Sequence, residues 1–131
     1  MEKAALKEHR RHSTADKPFS YYISNIPEYF PNAPMHWHKE FELNVILEGE
    51  GDFVTGDIHF TAYKGDIVLT PPDMLHAVYQ HDDKRCVYDT LDLDGSMLGS
   101  RDNDRAADAF IAPLISGAYS IETHITPEHC Y

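Results

Sequence analysis

His36-Trp37-His38, Glu42 four residues later and His76 further along are the residues whose types and spacing carry chemistry. In an extended strand alternate side chains share a face, so His36, His38 and Glu42 have the parity to point one way. Two imidazoles and a carboxylate on one side of a strand make part of a metal site. His76 follows the turn sequence Pro71-Pro72-Asp73, from which a neighbouring strand can carry it across as a fourth ligand. Neutral nitrogen donors with one negative oxygen accept Zn, Fe, Mn, Ni, Co or Cu, so the metal is not read from this set. Taken alone, His36-x-His38 reads as two polar strand residues.

These side chains sit in a chain of 131 residues, 42% hydrophobic and 25% charged, the mix of one globular domain with a buried core. Eleven Lys and Arg against 22 Asp and Glu give a formal charge of −11, the wrong sign for gripping nucleic acid or an anionic membrane. Apolar runs such as Val45-Ile46-Leu47 are far below a membrane span, and residues 1–17 are too polar for a signal peptide, so the expected compartment is the cytoplasm. Two cysteines, Cys86 and Cys130, support neither a disulfide framework nor a cysteine zinc site, and Cys86 reads as a small core residue.

Residues 1–17 have no hydrophobic period and read as a flexible arm. From Phe19 onward short β-rich runs predict strands at 19–26, 35–38, 41–48, 52–55, 58–63, 67–69, 76–79 and 86–93. Their dividers have turn chemistry: Glu48-Gly49-Glu50-Gly51, Gly56-Asp57, Lys64-Gly65-Asp66 and Pro71-Pro72-Asp73. Many short strands with tight turns predict an all-β sandwich or small barrel over 18–95. Within 96–131, a short amphipathic helix is expected over 102–116, behind an Asp102 cap, and a further strand over 119–125. Thr126-Pro127-Glu128 is start-of-helix chemistry close to the last residue, which predicts that the natural protein continues.

With the glycines included, the pattern reads His36-x-His38-x3-Glu42-x6-Gly49, then Gly65-x5-Pro71-x4-His76. It resembles the two signature motifs of the cupin superfamily, and covers residues 30–80. The resemblance implies an all-β cupin fold, a double-stranded β-helix or jelly-roll-like barrel, with a short C-terminal helical segment. It also implies one divalent metal ion (Zn, Ni, Fe or Mn) on His36, His38, Glu42 and His76. Three positions depart from the motifs: Phe30, Asp73 and Gln80 stand where glycine, glycine and asparagine are usual, and these bear on loop shape and lining rather than on ligands.

A narrower resemblance runs through His36-Trp37-His38-Lys39-Glu40-Phe41-Glu42-Leu43, Leu47-Glu48-Gly49-Glu50-Gly51 and Lys64-Gly65-Asp66-Ile67-Val68-Leu69-Thr70-Pro71-Pro72. It is similar to the N-terminal effector domain of AraC-type transcriptional regulators. That implies a sensor binding a small-molecule effector, a homodimer in the full-length protein, DNA binding by a C-terminal helix-turn-helix part outside this stretch, and an arm able to close on the pocket. Parity makes Asn44 and Gln80 effector-binding candidates if they face inward; the alternative is that they face solvent or bond the backbone. Trp37, of opposite parity, is expected outside the pocket. His9, His12, His59, His81, His124 and His129 share no spacing with the cluster and are expected to be exposed or structural, and Asp82, Asp83, Asp92, Asp94, Asp102 and Asp104 read as solvated acidic surface. The rival reading is a small metal-dependent cupin enzyme, a dioxygenase or isomerase, since such a ligand set with open positions can activate water or oxygen.

Overall fold

Strand β7 (Cys86–Leu93) shows how the interior is graded: its even residues Cys86, Tyr88, Thr90 and Asp92 are buried and its odd residues are half-exposed. The inward face therefore passes from apolar to acidic along one strand, because a period of two sends every second side chain inward. In the computed structural model, which describes residues 2–98, 109, 112–117 and 120–129, the other strands are β1 (Phe19–Ile26), β2 (Asn32–His36), β3 (Phe41–Thr55), β4 (Ile58–Tyr63), β5 (Ile67–Thr70), β6 (His76–Gln80) and β8 (His124–Ile125).

All pairings between these strands are antiparallel. One set runs β1-β7-β3-β5-β8; the other joins β2 to β6, β6 to β3 and β3 to β4. Strand β3 belongs to both, pairing with β5 and β7 over its first half and with β4 and β6 over its second. The sequence Glu48-Gly49-Glu50-Gly51, expected as a turn, instead lies inside one 15-residue strand. The register slips between Ile46 and Glu48, and this extra residue bends the strand from one sheet into the other. Gly49 has φ +73°, and a Cβ there would stand 1.7 Å from the Arg85 carbonyl oxygen, so glycine serves the bend and the close approach of β7. The turn expected at Gly56-Asp57 is present, as a two-residue hairpin loop between Thr55 and Ile58.

Ile26, Ile46, Phe53, Ala62, Val68, Val78, Cys86 and Tyr88 form the buried core, with Phe30, Ala33 and Phe60 against it. The Phe53 ring packs edge-on to Tyr88 at 5.8 Å and stacks on Phe60 at 6.1 Å, closing one end of the interior with apolar rings. The other end carries the polar side chains.

Beyond β7, helix α1 spans Ala112–Ser116 among the described residues, and of the longer helix expected over 102–116, residues 102–108, 110 and 111 lie outside the described ones. The strand expected over 119–125 is confined to His124–Ile125 among the described residues. Thr126-Pro127-Glu128 forms a turn closed by the His129 amide donating to the Thr126 carbonyl at 3.0 Å. No helix among the described residues is long and apolar enough to cross a membrane.

Candidate metal centre

Three strand ends meet at the polar end of the barrel. His36 closes β2, Glu42 is the second residue of β3 and His76 opens β6. His36 pairs with His76 across one ladder, and His76 pairs with Thr55 across the next. His38 lies in the bend between β2 and β3 rather than on an unbroken strand with His36. The Asp73 amide donates to the His38 carbonyl at 2.8 Å, tying that bend to the loop that delivers His76. Asp73 itself has φ +64°, a left-handed conformation that explains why the related motif prefers glycine at this position.

His36, His38, Glu42 and His76 each present a donor atom within 4.8 Å of the others. His38 Nε2 is 3.3 Å from Glu42 Oε1, and His76 Nε2 is 3.3 Å from Glu42 Oε2. The His76 ring centroid lies 4.2 Å from that of His36 and 4.9 Å from that of His38. His38 and His76 are buried, and His36 is half-buried.

The hydrogen bonds around the rings suit ligation. His36 Nδ1–H donates to the Pro34 carbonyl at 2.7 Å, and His76 Nδ1–H donates to the Met74 carbonyl at 2.8 Å. Each bond fixes the ring and turns Nε2 toward the cluster, the arrangement that metal-bound imidazoles use. His76 Nε2 is buried with no hydrogen-bond partner, an orphan that a cation between it and Glu42 would satisfy. The donor set of three nitrogens and one oxygen fits a first-row divalent ion.

The four side chains are also coupled by charge. Burial alone would raise the Glu42 carboxyl, but the charge of nearby His76 and the hydrogen bond and charge of His38 outweigh it and hold it well below the usual carboxylate range. Burial opposes a charged His76, yet the adjacent Glu42 charge raises its pKa. His36 is lowered, by burial first and then by His76. Glu42 remains ionised and is oriented by Asn44, whose Nδ2–H donates to Glu42 Oε2 at 3.0 Å while its Oδ1 accepts from Thr90 Oγ1 at 2.6 Å. A cavity of about 470 Å³ opens from the cluster, lined by Tyr22, Phe30, Asn44, Tyr88 and Thr90 among others. A larger hollow, about 620 Å³, lies elsewhere against Pro71–Leu75, Leu114 and Ile115, and among the described residues it holds no group of metal-binding side chains.

Several side chains stand apart from their sequence expectation. Gln80 does not reach the cavity: its Nε2 donates to the Lys84 carbonyl at 3.2 Å. Its parity matches that of His76, but it lies four residues further along β6, about 13 Å away and past Val78. Asp92, expected at the surface, is 1% exposed and faces inward opposite Glu42, with both carboxylate oxygens lacking a hydrogen-bond partner. Burial and then the Glu42 charge push its pKa up to about 9. Its shared parity with Cys86 and Tyr88 was the signal in the sequence. His12 is also buried, with Nε2 2.6 Å from Glu8 Oε2 and Nδ1 2.8 Å from the Tyr22 hydroxyl and 3.1 Å from Asp92 Oδ2.

His12 and Glu8 arrive on the N-terminal segment, which is docked across the mouth rather than free. Trp37, outside the cavity as expected, anchors it: Trp37 Nε1–H donates to the Lys3 carbonyl at 2.7 Å, and the Lys3 and Lys7 ammonium groups lie 5.1 and 5.4 Å from its ring. Ser13 Oγ–H donates to the buried Glu40 Oε2 at 2.6 Å. His9 and His59 are exposed; His81 and His124 pair with Asp52 and Asp66, each at 2.8 Å, away from the centre.

A two-sheet antiparallel barrel with three histidines and a glutamate at its open end defines a cupin. Solved structures agree on the fold. A cupin protein from Bacteroides fragilis superposes with a TM-score of 0.55 at 19% identity, over 70% of this chain and 75% of that one. A protein described as a predicted oxalate decarboxylase from Thermotoga maritima gives 0.53 at 20% identity, over 71% and 74%.

Within that class, residues 18–101 match the AraC-like ligand binding domain, and the chain belongs to this family. A curated relative, an uncharacterized HTH-type transcriptional regulator, YdeC, of Bacillus subtilis (strain 168), is 27% identical over 89 residues, which cover 67% of this chain and 31% of the relative. The chain thus matches about a third of that regulator's length.

Proposed function

We propose that this chain is the effector-sensing part of a cytoplasmic HTH-type transcriptional regulator. It holds one divalent metal ion on His36, His38, Glu42 and His76 and takes a small-molecule effector in the adjoining cavity. The ion would present a Lewis-acidic face to the effector's oxygen atoms. Asn44, whose side-chain bonds are committed to Glu42 and Thr90, positions Glu42 from the cavity wall. Effector binding shifts the populations of two arrangements of the arm or of a homodimer, and DNA binding by a helix-turn-helix part of the full-length protein reads that shift.

The observation that carries the reading is the junction of a buried four-donor cluster with a cavity, inside a domain of the AraC-like ligand-binding family. The test is operator binding by the full-length protein, with and without a panel of small oxygen-donor ligands. A ligand-dependent change that disappears in His76→Ala supports the reading; ligand-independent DNA binding across the panel counts against it.

The complete ligand set beside an open cavity favours a second reading, a metal-dependent cupin enzyme. Turnover of a bound compound by the metal-loaded chain, at a rate abolished by His38→Ala, would establish it.

A further inference from the structure

The N-terminal segment puts a carboxylate at the metal centre. Lys7 forms a parallel bridge with Trp37; the Glu8 amide donates to the Trp37 carbonyl at 2.9 Å, and the Trp37 amide donates to the Leu6 carbonyl at 3.1 Å. Trp37 stands between His36 and His38, so this backbone register sets Glu8 beside both rings. Glu8 Oε2 lies 3.8 Å from His36 Nε2 and 2.6 Å from His12 Nε2, and Glu8, His12 and His38 present donor atoms within 4.8 Å of one another. His12, 5% exposed, is held on its far side by Tyr22 and Asp92, which fixes the nitrogen that faces Glu8.

We propose that Glu8 is an arm-supplied oxygen ligand on the cavity side of the His36, His38, Glu42 and His76 centre, and that this cavity takes small carboxylates, which bind by displacing it. The inference rests on the metal reading above. Withdrawing the Glu8 side chain would leave an open metal face and an unpaired buried imidazole nitrogen on His12, and another carboxylate brings the two acceptor oxygens that satisfy both. The Arg10 side chain lines the same cavity, its guanidinium 4.4 Å from the Tyr22 ring, and adds a cation for an entering anion. Because Glu8 is tethered, it competes at every free-ligand concentration and lowers the apparent affinity by the fraction of chains in which it is withdrawn.

The test uses the full chain, Co(II) as the metal and acetate as the probe, with wild type, Glu8→Gln and His76→Ala compared. Co(II) absorption is titrated with acetate. Expected are Co(II) binding by wild type and Glu8→Gln but not by His76→Ala, and about tenfold tighter acetate binding in Glu8→Gln. Equal acetate affinity in wild type and Glu8→Gln, with Co(II) still bound through His76, would overturn the role of Glu8 alone. Failure of the wild type to bind Co(II), or binding that survives His76→Ala, would overturn the metal reading and this inference with it.

Discussion

Glu42 and Asp92 face each other as Cα partners on β3 and β7, both side chains turned into the barrel and both buried. Two carboxylates so placed repel unless a proton or a cation lies between or beside them, and here one is held ionised by histidines while the other is driven to keep its proton. The proton on Asp92 and the histidines around Glu42 thus let both carboxyl groups share the buried end of the interior.

Asn44 holds one oxygen of Glu42 and is itself held by Thr90. Asn44→Ala should weaken divalent-metal affinity by about tenfold, as loss of a partner behind a ligand does, while the far-ultraviolet circular dichroism stays that of the wild type. Metal titration monitored by calorimetry checks it; unchanged affinity would show that Glu42 needs no such support.

Gly49 allows β3 to bend where it passes β7. Gly49→Ala would place a methyl carbon 1.7 Å from the Arg85 carbonyl at a left-handed φ, so the ladder must part. A loss of about 3 kcal/mol or more in unfolding free energy is expected, measured by urea denaturation. A loss below about 1 kcal/mol would mean the bend relaxes freely.

Trp37 secures the arm through its indole N–H and its ring face. Trp37→Ala should speed tryptic cleavage at Arg10 and Arg11 by about fivefold or more, because opening of the segment governs its cleavage. The Cys86 region should remain protected. Mass-spectrometric mapping over time separates the two.

Burial, with a smaller push from Glu50, raises the Cys86 thiol to about 12. Thiolate is the reactive form, so at pH 8 the native Cys130→Ser variant should give almost no reaction with a chromogenic disulfide reagent, and one thiol per chain after denaturation. Rapid native reaction would place Cys86 outside the core.

The motif spacing made the gathering of His36, His38, Glu42 and His76 legible in sequence, because they stand at or beside strand ends that the barrel brings together. The continuity of β3 was not legible: glycine marks a turn and a bend alike, and only the approach of Arg85 distinguishes them. Parity told which way Gln80 faces but not how deep along the barrel it lies. The docked arm escaped because it is held by backbone pairing, a cation-bearing indole and buried polar contacts, none of which leaves a hydrophobic period. Glu8 and His12 became visible only with that docking, and Asp92 was hidden by its type although its alternation with Cys86 and Tyr88 placed it inside.

Elemental analysis of the purified chain, prepared without chelators and compared with His38→Ala, tests the metal centre most directly. One equivalent of a divalent first-row metal in the wild type, lost in a folded His38→Ala variant, is the expected result; wild-type protein that carries no metal and takes up none from added Zn, Mn, Fe or Ni would contradict it.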